Sequence, residues 1–116
     1  MKYIIIPDSA EIRRLPFYFA VEEYVARTYT DDDYFMVWQV EPTVMLGRNQ
    51  LIANEVDTDY CRREGVDIFR RKSGGGCIYA DRGCLQFSYI SFAENVSSAF
   101  VDYMRGVAEM LRSLHI

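Results

Sequence analysis

The apolar positions change period repeatedly along the chain, and each change marks a new element. A β-branched run at residues 3–6, closed by Pro7, predicts an opening strand. Pro16 suits the first turn of a helix over residues 16–28. Within it Phe17, Ala20, Val21, Tyr24 and Val25 recur at helical spacing, and Glu22 and Glu23 fall off that stripe. Asp31, Asp32 and Asp33 read as a solvated loop, although paired acids can also hold a metal. Residues 34–46 are rich in Phe, Val, Trp and Met and are interrupted by Glu41 and Pro42, which predicts two strands around a turn. Residues 47–50 break the pattern. A short helix is expected over residues 56–64, halted by Gly65. Strands follow at residues 66–71 and 77–80, on either side of a Gly-rich loop. A turn at 81–83 leads to a strand over 85–92 with partial alternation. Ser97 or Ser98 is placed to cap a last helix. Its Phe100, Met104, Val107, Met110, Leu111 and Leu114 share one face, expected to belong to the core. Strands and helices mixed in this order, with hairpins in the middle, predict an α+β sandwich.

Composition narrows the class. With 116 residues, half of them hydrophobic, the chain suits one small core-forming domain over residues 1–116. A net charge of −4 argues against general attraction to nucleic acid. No apolar run approaches a membrane span, and Asp8, Glu11, Arg13 and Arg14 argue against a signal peptide, so a cytoplasmic protein is expected. Cys61, Cys77 and Cys84 are odd in number and lack CxxC spacing, against both a disulfide framework and a zinc site. The sole histidine, His115, has no Ser or Cys partner visible in sequence, so a hydrolytic triad is unsupported and no metal ligand is assigned.

The candidate chemistry sits at residues 70–79. Arg70, Arg71 and Lys72 precede Ser73 and the glycines 74, 75 and 76, and Cys77, Ile78 and Tyr79 follow. Three missing side chains let a ligand touch backbone, and exposed amides suit a phosphate or carboxylate. The arginine fork holds two phosphate oxygens at once. A tight hairpin between two strands is the plainer alternative. Neither a Walker-type loop nor a dinucleotide fingerprint is present.

These residues, with the block from Thr43 to Gln50, the pair Glu22 and Glu23 after Ala20 and Val21, and Leu85 to Ser88, resemble the N-terminal part of the lipoate–protein ligase A catalytic domain. The resemblance implies part of the biotin/lipoyl ligase fold, related to class II synthetases, with a mixed, mostly antiparallel sheet and packed helices. It also implies a chemistry. Lipoate and ATP, with Mg²⁺, give lipoyl-adenylate, and the acyl group passes to a carrier lysine on an E2 subunit or the glycine cleavage H protein. By position, Arg71 would contact the nucleotide phosphates, and Ser73, Gly74 and Gly75 would shape the loop. Gly76, Cys77, Ile78 and Tyr79 would line the adenylate through backbone. Trp38, with Arg71 and Gly76, would border lipoate. Amides and a fixed cation would offset the repulsion between the joined anions.

The resemblance also has gaps. The family's catalytic lysine belongs to a Lys-x-x-Gly-x-Ala block that would lie beyond Ile116, and Lys2 and Lys72 sit in no such block. A fragment truncated before that block, inactive alone and prone to self-association, is therefore expected. Ala80 and Cys84 stand where many relatives carry His and Asn, which leaves octanoate open as a substrate. Two other readings stay open: an octanoyl transferase of the same fold using a cysteine, and a protein that binds lipoate or nucleotide without catalysis, or assists a partner polypeptide.

Overall fold

The computed structural model describes residues 1–6 and 11–116. The expected stop at Pro7, and Asp8, lie outside the described residues. The opening strand β1 (Lys2–Tyr3) is shorter than its β-branched run, although the Ile4 amide still donates to Phe35 O at 2.8 Å. Helix α1 (Leu15–Thr28) carries Pro at its first turn, as the sequence predicts. Strands β2 (Tyr34–Trp38) and β3 (Thr43–Leu46) flank Glu41 and Pro42 but do not pair with each other.

After β3 comes a single turn of helix, α2 (Ile52–Glu55), which the periodicity does not reveal. Helix α3 (Thr58–Glu64) is capped by Asp57, whose carboxylate accepts the Tyr60 amide at 2.9 Å. It ends at Gly65, whose φ of 67° only glycine adopts at no steric cost. Strands β4 (Asp67–Arg70), β5 (Ile78–Ala80) and β6 (Gln86–Ile90) precede helix α4 (Val96–Ser113). The cap of α4 is Asn95, not a serine: its side chain accepts the Ser98 amide at 3.1 Å, and the Ser98 hydroxyl donates back to Asn95 O.

The strands form two three-stranded sheets, ordered β1-β2-β6 and β4-β3-β5. Each has one parallel and one antiparallel pairing. Leu15 and Tyr18 of α1, Met36 and Trp38 of β2, Val40, Met45 of β3 and Ala80 of β5 make one core cluster. The core therefore lies where α1 and both sheets meet. Tyr18 stacks on Trp38 with ring centroids 4.7 Å apart. Ala80 is 2% exposed in this cluster.

Two expected faces turn out differently. On α1 the buried positions are Leu15, Tyr18 and Val25, whereas Phe17 and Tyr24 of the expected stripe are exposed. Three aromatics in succession, at 17–19, point in three directions, so the spacing does not fix which one faces inward. On α4 no residue is buried: Phe100 and Met104 are 62% and 45% exposed, and Leu114 at its C-cap is 60% exposed. Its main anchor is Tyr103, whose ring stacks on Tyr89 at 4.9 Å. That apolar stripe is not core within these residues.

Candidate functional site

The Gly-rich loop arises from sheet register. β4 runs parallel to β3 and β5 antiparallel to it, with Leu46 opposite Arg70 and Met45 opposite Ile78. The segment 71–77 must therefore cross the end of β3, where Gly47 begins a turn. A Cβ on Gly47 would sit 2.0 Å from Gly75 O, so only glycine fits at this crossing. Gly75 itself has φ 97°, a conformation that disfavours any side chain. Gly47 carries no chemistry of its own in sequence; its signals are the break in apolar pattern at residues 47–50 and its place in the Thr43–Gln50 block.

The three cations take separate roles. Arg71 donates from Nη1 to Met45 O at 3.0 Å, and from Nη2 to Gly74 O at 2.9 Å and Gly76 O at 2.7 Å. It braces the loop from beneath. Arg70 Nη1 donates to Gly47 O at 2.9 Å and Gln50 O at 2.6 Å, holding the neighbouring turn. Both guanidiniums thus bond neutral carbonyls and keep their charge uncompensated. Lys72 instead meets Glu23 on α1 at 2.5 Å, and Arg27 meets the same carboxylate at 2.6 Å. Lys72 first, and Arg27 second, hold the Glu23 carboxyl below its ordinary range.

Among the described residues, the amides of Ser73, Gly74, Gly75 and Gly76 donate to no other protein atom. They are exposed on a loop backed by two guanidiniums, an arrangement suited to an anion. Beside them a cleft of about 860 Å³ runs between α1 and the loop, bordered by Phe19, Glu22, Arg71, Ser73 and Tyr89. Its size suits a small-molecule ligand.

Of the residues singled out in sequence, Arg71, Ser73, Gly74, Gly75, Gly76 and Cys77 form one continuous stretch, and Ile78 and Tyr79 extend it as the exposed end of β5. Trp38 is not brought together with them. It is 7% exposed, packed against Tyr18, and lines a separate cavity beside Val37 and Leu85. Its Nε1 donates to Ser88 Oγ at 2.7 Å, and Ser88 donates to Glu22 Oε1. Among the described residues this relay joins Trp38 to Glu22 at the edge of the cleft. Burial pushes the Glu22 carboxyl above its ordinary value, against the opposing pull of the Ser88 hydrogen bond. The helical periodicity sets Glu22 on a polar face, so its inward placement was not legible there.

No three His, Cys, Asp or Glu side chains converge on a metal-sized site among the described residues. No helix among them is long and apolar enough to cross a membrane.

Comparison with known proteins identifies the family. The family model of the lipoyl protein ligase A/B catalytic domain matches residues 15–116. Lipoate–protein ligase 1 of Staphylococcus aureus is 33% identical over 99 residues, which are 84% of this chain and 30% of that protein. The chain thus spans well under half the length of such curated relatives. A solved bi-partite lipoate protein ligase from Thermoplasma acidophilum, studied with its E2 lipoyl domain, superposes with TM-score 0.79 at 27% identity, over 90% of this chain and 44% of that one. A lipoate-protein ligase A bound with ATP superposes with TM-score 0.76 at 30% identity, over 83% and 40% of the two chains.

Proposed function

The chain belongs to the lipoyl protein ligase A/B catalytic-domain family, and from that membership we propose that it supplies the nucleotide-binding part of a ligase activating lipoate with ATP. The observation that carries the reading is the set of unpaired amides at Ser73–Gly76, backed by Arg70 and Arg71. Adenylation brings a carboxylate onto a triphosphate, and N–H donors fixed before reaction stabilise the charge that develops. Arg71 serves this twice over. It locks the carbonyls of Gly74 and Gly76 inward, which turns amides outward, and its charge lies behind those amides, where it adds to the field at the phosphates. Cys77, Ile78 and Tyr79 continue the adenylate site through their backbone. The cleft beside the loop takes the acyl group, and Trp38 acts on it through Ser88 and Glu22.

The relatives' chemistry also calls for a lysine. Lys2 pairs with Asp31 and Lys72 with Glu23 on the exposed surface, and neither stands in a Lys-x-x-Gly-x-Ala block. That lysine comes from a segment outside these residues, and the chain by itself has little ligase activity. The uncovered stripe of α4 is the surface such a segment, or a second copy of this chain, would cover. Mg²⁺ finds no fitting protein cage among the described residues and would arrive as the counter-ion of ATP. The acyl acceptor is a lysine on a lipoyl carrier domain, of an E2 subunit or the glycine cleavage H protein, and the protein works in the cytoplasm.

Calorimetric titration of ATP tests the central step. Gly75→Ala places a side chain at φ 97° and should weaken ATP binding by about tenfold while α1 and both sheets stay folded. Unchanged affinity in that variant would remove the loop from the nucleotide site. Dependence of carrier acylation on ATP, once the remaining segment is supplied, separates this reading from an octanoyl transferase.

A further inference from the structure

The turn at residues 47–50 forms a second wall beside the Gly-rich loop, and its exposed arginine has no role in the reading above. The Arg48 amide donates to Ser73 O at 2.9 Å. Gly47 packs so tightly on Gly75 that no Cβ fits between them. Arg70 grips the carbonyls of Gly47 and Gln50, and the Gln50 side chain accepts the Gly47 amide at 2.8 Å. Turn and loop are therefore one clamped unit, and the Cα of Arg48 is fixed relative to the amides of Ser73–Gly76.

The guanidinium of Arg48 is different. It is exposed, and among the described residues no carboxylate or carbonyl accepts from it. Elsewhere six arginines sit against acids, among them Arg14 on Asp67, Arg62 on Asp59 and Arg105 on Asp102. Among the described residues Arg63 and Arg112 also lack an acid, but they lie on α3 and α4 and not on the loop or its turn. In a chain with 17 acidic residues against 13 basic ones, a cation left unpaired beside an anion-binding loop is set apart. An extended arginine reaches several ångströms past its Cα, comparable to the spacing of successive phosphates in a nucleotide. Its fork matches two phosphate oxygens.

We propose that Arg48 is a further phosphate-binding residue, taking the outer phosphates of a nucleotide whose α-phosphate lies on the loop amides. Arg70 is its positioning residue, acting through the turn. The proposal rests on the nucleotide reading of the loop and adds a consequence: the site distinguishes nucleoside triphosphates from monophosphates by a contact the loop itself does not make.

The test is calorimetric titration of ATP and of AMP into the whole chain, as wild type, Arg48→Ala and Arg48→Lys. Arg48→Ala should bind ATP about tenfold more weakly, with AMP affinity and thermal midpoint unchanged. Arg48→Lys should fall between, because a point charge remains without the fork. ATP affinity equal to wild type in Arg48→Ala overturns the proposal and leaves the loop reading standing. An equal loss for ATP and AMP also overturns it, since Arg48 would then act on the loop rather than on the outer phosphates. Wild type binding neither nucleotide defeats the loop reading and this proposal together.

Discussion

The Gly-rich loop and helix α4 solve the problem of exposure in opposite ways. Around the loop, Arg70, Arg71 and Lys72 each reach a partner within the chain, and Gly47 and Gly75 touch at the closest approach glycine permits. Along α4, Phe100, Met104 and Leu114 stay in contact with solvent, and Tyr103 on Tyr89 is the main tie to the rest. Directional polar bonds close over a few residues, so a loop can complete itself. Apolar burial needs area from another element, and the described residues provide little of it to α4. The difference separates a loop that closes on itself, the proposed nucleotide site, from an apolar helix face left open to solvent.

The sharpest way to break that comparison is a pair of methionine truncations. Met36→Ala, at a side chain 1% exposed, should cost about 3 kcal/mol in urea denaturation. Met104→Ala on α4 should cost less than about 0.5 kcal/mol. Equal losses would mean that α4 packs as core after all. Next in size is Gly47→Ala. Its new methyl would meet Gly75 O, and overpacking of this kind costs about 2 kcal/mol. Denaturation should show that loss, and it should appear together with weaker ATP binding, because turn and loop move as one. A variant as stable as wild type would show that the two are not clamped.

A smaller effect concerns Glu22, at the junction of core and cleft. Burial raises its carboxyl above the ordinary 4.5. In the interval above 4.5 and up to the raised value, the folded chain binds more protons there than the unfolded chain. Stability from this group is therefore greatest below 4.5 and declines as pH rises through that interval. Glu22→Gln should lose this slope, so denaturation midpoints of variant and wild type should diverge between acid and neutral pH. Parallel curves would mean Glu22 is solvated.

Much of the fold was legible because local chemistry specified it. Pro16 opened α1, Gly65 closed α3, and the glycines at 74–76 marked the crossing loop. The failures share a cause. Which side of α1 is buried depends on Tyr18 finding Trp38, a contact between residues distant in sequence. The separation of β2 and β3 into different sheets depends on β4, β5 and β6, which come later in the chain. Asn95 won the cap of α4 over two nearby serines that are equally good in isolation. At the site, the run of glycines pointed to the loop, but the division of labour among Arg70, Arg71 and Lys72 did not show, because carbonyl partners carry no side-chain signature.

The most direct measurement of the central claim follows the backbone amides of the isotope-labelled protein by NMR as ATP is added. The account predicts that the largest shifts fall on Ser73, Gly74, Gly75 and Gly76, with smaller ones at Cys77 and little change along α4. Saturable ATP binding that leaves those four amides unmoved would contradict it.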